Sequence, residues 1–214
     1  MNDSKVFLER NDILSERVIR GLESRQMAGY YCKTKEEALK KALSLIEPKS
    51  TVAWGGAETL GQIGFYDALK DVDCKVINRD TAETREHAIE LMRSALSCDT
   101  FFMSSNAITA DGELVNIDGM GNRTAALIFG PKSIVVVVGM NKVCSDLDDA
   151  MNRARTFAAP MNATRLKTQT PCALTGSCAN CKKPESICAH IVITRLSKIP
   201  HRIKVILVGE SLGY

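Results

Sequence analysis

SIVVVVG, residues Ser133 to Gly139, decides how the rest of the chain is read. Ile134 to Val138 are all apolar and none alternates with a polar residue, so a strand formed here has no face for solvent. Branching at Cβ favours the extended backbone. A short strand covered on both faces belongs to a parallel sheet with helices packed on either side.

Working outward, the same grammar recurs. DLDDAMNRARTFAA (146–159) reads as a helix after this strand, and DTFFMS (99–104) reads as another strand before it. Thr81 to Ser97, rich in Glu, Ala, Leu and Arg, forms a helix, preceded by the strand-like CKVIN (74–78) and TVAW (51–54). KVILVG (204–209) supplies a further strand, and the region around Ala110 to Arg123 is polar and hairpin-like. TKEEALKKALSLI (34–46) opens with Thr34 and, three residues on, Glu37, the pattern of a capping box. Phe7, Leu14, Val18 and Leu22 make one stripe of an amphipathic helix. Residues 1–28 are thus expected as a helix packing on a domain spanning 29–214. Short apolar strands alternating with helices give the fold class: α/β, one doubly wound domain with a mainly parallel sheet.

Composition sets limits on function. With 45% hydrophobic and 25% charged residues the chain can build a core unaided. Its longest strongly apolar run is far too short to cross a bilayer. MNDSKVFLERND, at the start, has acids and no apolar signal core, so a cytoplasmic protein is expected. A net charge of +3 argues against a nucleic-acid partner.

In an open parallel sheet, ligands bind beyond the carboxyl ends of the strands. Three loops qualify: Gly55 to Thr59, Ser104 to Asn106 and Gly139 to Lys142. Gly55 and Gly56 let backbone N–H groups approach an anion, while Thr59, Ser104, Ser105, Asn106 and Asn141 offer polar groups and Lys142 a charge. The expected ligand is a small carboxylate or phosphate. GMGN (119–122) lacks the third glycine of a dinucleotide fingerprint, and GPKS (130–133) has proline where a P-loop needs glycine. Neither a zinc-protease motif nor a nucleophile elbow is present, and Glu58 and Glu113 are the candidate catalytic carboxylates, as acid, base or nucleophile.

The segment TPCALTGSCANCKKPESIC sets Cys172, Cys178, Cys181 and Cys188 at the spacing C-x5-C-x2-C-x6-C. In a reducing compartment such a cluster points to metal or redox chemistry. Four thiolates suit a [4Fe–4S] cluster or tetrahedral zinc, and a redox-active Cys178–Cys181 pair is the other option. Cys32, Cys74, Cys98 and Cys144 are scattered and read as small buried hydrophobes.

WGGAETLGQIG (54–64), SSNAITADGELVNIDGMGNR (104–123) and FGPKSIVVVVGMNK (129–142), in this order, resemble the LUD domain of lactate-utilisation proteins. PCALTGSCANCKKPESIC (171–188) and VILVGESLGY (205–214) are similar to its short bacterial branch with a cysteine tail. The resemblance implies a fold related to glucosamine-phosphate isomerase, ribose-phosphate isomerase and CoA-transferases. It also implies a role near lactate oxidation, in iron–sulfur oxidoreductase systems with redox partner proteins, and supplies no catalytic mechanism. Three functions stay open: an accessory or electron-transfer protein, an enzyme on a small anion with structural zinc, and a module that assembles partners.

Overall fold

A six-stranded sheet, parallel throughout, forms the body of the computed structural model, which describes residues 5–214. The first four residues, part of the N-terminal reading above, lie outside it. The strands are β1 (Ala28–Cys32), β2 (Thr51–Trp54), β3 (Lys75–Ile77), β4 (Thr100–Met103), β7 (Ser133–Gly139) and β10 (Ile203–Val208), in the order β1-β10-β7-β4-β2-β3. The valine run is a central strand, pairing Val136 with Val205 on one side and with Met103 on the other. Val138 pairs with Leu207.

Residues 134–138 are all fully buried, and they divide between two cores. Ile134, Val136 and Val138 pack with Phe101, Met103, Val205 and Leu207 beneath α1 (Lys5–Ser24) and α6 (Asn122–Ile128). Val135 and Val137 face the other way, toward Val52, Phe102, Ile206 and the alanines of α2 (Lys35–Ser44). Each buried valine contributes roughly 1.5–3 kcal/mol, which is why the register cannot slip by one residue without exposing an entire face. Half of the expected capping box forms as read: Thr34 accepts from the Glu37 N–H, while the Glu37 carboxylate accepts from the N–H of Lys33, one residue before the cap, rather than from that of Thr34.

A smaller sheet was not foreseen. It has the order β8-β5-β6-β9, with β5 (Ala107–Thr109), β6 (Leu114–Asp118), β8 (Val143–Cys144) and β9 (His190–Thr194). The stretch read as polar and hairpin-like is a hairpin, β5 against β6, but its second strand is buried along its whole length, Asn116 and Asp118 included. Its tip docks on α1 through two glycines. A Cβ on Gly21 would stand 2.4 Å from the Asp111 carbonyl, and one on Gly112, at φ +89, would stand 2.6 Å from the Leu22 nitrogen.

The chain adds short helices α3 (Glu58–Gln62) and α4 (Phe65–Ala68) after β2, α5 (Arg85–Ser94) after β3, and α7 (Leu147–Arg153), α8 (Ala159–Arg165) and α9 (Pro171–Thr175) after β8. Residues 154–158 between α7 and α8 widen into a π-turn. Pro160 has no N–H to donate to the preceding turn, and a wider turn accommodates that loss. Among the described residues no helix is long and apolar enough to cross a membrane.

Candidate functional site: a cationic pocket at the sheet end

All strands of the main sheet run the same way, so their carboxyl ends open on one edge. A cavity of about 300 Å³ lies there. Gly56 and Thr59 reach it from beyond β2, Arg79 from beyond β3, Ser104, Ser105 and Asn106 from beyond β4, Lys142 from beyond β7, and Tyr214 from beyond β10.

Lys142 is the most unusual of these. It is 2% exposed, and its Nζ lies 3.0 Å from both Thr59 Oγ1 and Ser104 Oγ. No carboxylate among the described residues pairs with it. Burial, reinforced by the charges of Arg153 and Arg123, brings its pKa from 10.5 down to about 7. Free amine is therefore available near neutral pH. The lysine is fixed by the end of the sheet on one side and by the tail on the other. Asn141 Oδ1 accepts from Leu212 N–H at 3.1 Å, and Gly213 N–H donates to Gln62 Oε1 at 2.6 Å.

Arg123 organises the neighbouring wall. Its guanidinium donates to the Ser104 carbonyl at 2.9 Å, the Ile117 carbonyl at 2.7 Å and the Asn116 side chain, and its Nε stands 3.7 Å from Asp118. Asp118 in turn accepts from the N–H groups of Gly121 and Thr124. Burial lowers the Arg123 pKa, yet guanidinium stays charged. With its donors engaged by the protein, Arg123 supplies field and rigidity, whereas Arg79 and Arg165 keep donors free. Arg165 donates to Asn162, at 2.8 and 3.1 Å, and lies beside the Tyr214 hydroxyl, and Arg79 approaches Asp80 at 3.6 Å.

The residues picked from sequence separate on this geometry. Gly56, Thr59, Ser104, Ser105, Asn106, Lys142 and Glu58 line the pocket; Gly55, Asn141 and Glu113 do not. Gly55 is glycine for another reason: its N–H is bonded to the Phe102 carbonyl, and a Cβ there would lie 2.7 Å from Arg123 Cγ. Gly56 likewise leaves room for Arg79, whose Nη2 would be 2.7 Å from a Cβ. The Ser105 hydroxyl is turned into the hairpin, donating to Ala107 and Val115 carbonyls. Asn141 holds the tail. Glu113 pairs with Arg25 at 3.4 Å, beside the hairpin tip.

Sequence reading missed Arg79, Arg123, Arg165 and Tyr214. The strand-end rule, applied to CKVIN as it was to the other strands, leads directly to Arg79. Arg165 and Tyr214 come from a helix and a tail whose approach no local pattern announces.

Cys172, Cys178, Cys181 and Cys188 line one second cavity, of about 200 Å³, together with Thr170, Arg155 and Ile191. Burial and the other three thiols raise the Cys188 pKa. Among the described residues no three such donors are drawn in to hold a metal ion. From Gly176 to Ala189 the chain has neither helix nor strand. Ile187 lines both cavities, and its backbone lies 3.4 Å from where a Cβ on Gly119 would be. The two sites are thus neighbours.

The LUD domain family model matches residues 15–208. A DUF162-family protein from Deinococcus radiodurans, solved by crystallography, superposes with a TM-score of 0.52 at 11% identity, covering 92% of this chain and 98% of that one. Ribose 5-phosphate isomerase A from Methanocaldococcus jannaschii gives a TM-score of 0.34 at 16% identity, over 53% of this chain and 55% of that one. The eIF2B delta subunit from Chaetomium thermophilum gives 0.34 at 17% identity, over 68% and 59%. No curated protein matches the sequence.

Proposed function

The chain belongs to the LUD-domain family, and from that premise we propose an accessory or electron-transfer component in the oxidation of lactate or a related small organic acid. It binds a small carboxylate- or phosphate-bearing anion at the sheet end and a metal or iron–sulfur cluster on its four clustered cysteines.

The observation that carries this reading is the uncompensated charge of the pocket. Arg79, Arg123, Lys142 and Arg165 line it against the acids Glu58 and Asp118, and Asp118 is already engaged by Arg123 and two backbone N–H groups. A buried lysine with no acid beside it costs folding energy. Such an expense is expected where an anion completes the site. The buried Tyr214 hydroxyl, beside Arg165 on the pocket wall, is a further polar group for a ligand to engage.

Thiol chemistry supports the second half. Cys172, Cys178, Cys181 and Cys188 would hold the group, and Arg155 on the cavity wall offsets part of their negative charge. Zinc at bond lengths of about 2.3 Å draws four sulfurs together and leaves no space among them. The cavity of about 200 Å³ that the four thiols line has room for the larger cluster. When bound, a cluster supplies one-electron transfer beside the pocket.

A second reading is favoured by Glu58 and Lys142 sharing one pocket: an enzyme acting on a small anion, with structural zinc. Visible spectra with iron, sulfide and zinc analysis of anaerobically purified protein separate the two. Brown absorbance with iron and sulfide supports the first. Stoichiometric zinc without iron supports the second.

A further inference from the structure

Lys142 has more about it than an anion-binding charge requires. We propose that its Nζ captures the carbonyl carbon of a small anionic aldehyde or 2-oxo acid as an imine. The proposal rests on the anion-pocket reading above and deepens it by naming the substrate class.

Geometry carries the argument. A lysine nitrogen has four tetrahedral positions. One is bonded to Cε, and two are directed to Thr59 Oγ1 and Ser104 Oγ, each at 3.0 Å. One position is left, on a residue that is 2% exposed yet lines the pocket. The tail passes close to the amine at Gly213, φ +58, where a Cβ would come within 3.0 Å of Nζ and 2.5 Å of Thr59 Oγ1, so glycine there leaves more room beside Nζ than any other residue would. The charged and titratable groups around the amine and its pocket are Arg153 of α7, Arg123 of α6, Arg165 of α8, Arg79, Glu58, Asp118 and Tyr214. Cations therefore outnumber acids. They favour an anionic substrate, while burial, with Arg153 and Arg123, disfavours the protonated amine. Its lowered pKa, about 7, leaves free amine available at neutral pH, where an exposed lysine is almost wholly protonated.

The step balances without a further reagent. The Nζ lone pair bonds to the carbonyl carbon, and the C=O π electrons move to oxygen. The two protons that nitrogen loses on becoming an imine leave with that oxygen as water. Thr59 and Ser104, both within reach of Nζ and 3.3 Å from each other, are placed to pass protons between nitrogen and oxygen.

The test uses the full chain, purified anaerobically, with glyoxylate as probe and cyanoborohydride to reduce any imine to a stable secondary amine, followed by peptide mapping. The expected result is carboxymethylation at Lys142 about tenfold or more above any exposed lysine, because its free-amine fraction is far larger, with protection by excess inorganic phosphate. Calorimetric titration with glyoxylate and with phosphate, without reductant, reads the pocket separately. Anion binding with no preferential adduct at Lys142 overturns the imine proposal and leaves the anion reading standing. Absence of any anion binding overturns both. Lys142→Arg, which retains a cation, is expected to lose the adduct; persistence of the same adduct yield in that variant would show that other lysines were being labelled.

Discussion

The two cavities of this protein sit side by side and are built in opposite ways. The sheet-end pocket is assembled from five strand ends whose positions are set by buried valines and by the bonds of Arg123. The cysteine cavity is enclosed by a segment with no regular structure after Gly176, held by few bonds, such as Arg155 to Asn180 and Gln169 N–H to Glu185. One site keeps its shape through the fold. The other needs a bound group to offset the entropy of ordering its loop and the repulsion of four thiolates.

The largest effect expected from that contrast is on the loop. Cys181→Ser removes one of the four thiols, so bound metal is lost and hydrogen exchange across residues 176–189 accelerates, while β7 remains protected. Cys74→Ser, far from the cluster in sequence and absent from the cavity wall, leaves metal content unchanged. Equal loss of metal in both variants would dissolve the contrast.

Next in size is the pocket's own scaffold. Arg123→Met strands Asp118 and releases the carbonyls of Ser104 and Ile117, at a cost of about 3–5 kcal/mol in urea unfolding. Gly55→Ala presses on the same arginine, with a Cβ 2.7 Å from its Cγ, and is expected to cost about 1–3 kcal/mol. Metal content in either variant tells whether the pocket wall also supports the loop.

Lys142→Met moves stability and binding in opposite directions. Removing an unpaired buried cation stabilises the fold by about 1–3 kcal/mol at pH 6, while phosphate binding weakens. The sign with pH follows from the lowered pKa. Below about 7 the lysine is protonated in folded and unfolded chains alike and the penalty is complete; above 10.5 it is neutral in both. Wild-type stability therefore climbs between those limits, and the climb shrinks in Lys142→Met. Thermal unfolding across pH 6 to 10 measures it. The smallest effect belongs to Glu113→Gln. It breaks the pair with Arg25, changes stability by about 1 kcal/mol or less, and leaves anion binding intact.

How far the sequence could be read also differs between regions. The valine run and its neighbours declared a two-faced parallel sheet because burial on both sides leaves no polar position, and β7 does pair between β10 and β4. The small sheet stayed hidden. Asn116 and Asp118 look like surface residues in sequence, but they are buried as partners of Arg123, five to seven residues on, a strand-to-helix contact that no periodicity encodes. For the pocket, the strand-end rule led to Lys142, Ser104 and Thr59. Gly55 and Asn141 lie off the cavity wall, because glycine and asparagine serve equally to admit a neighbouring arginine or to hold a tail.

The central claim is that the pocket binds small anions as a property of the fold, independently of the cysteine loop. Calorimetric titration of phosphate into metal-replete and chelator-treated protein tests it most directly. The account predicts the same Kd in both preparations and weaker binding in Lys142→Met. Binding that vanishes with the metal, or is absent from both preparations, would contradict it.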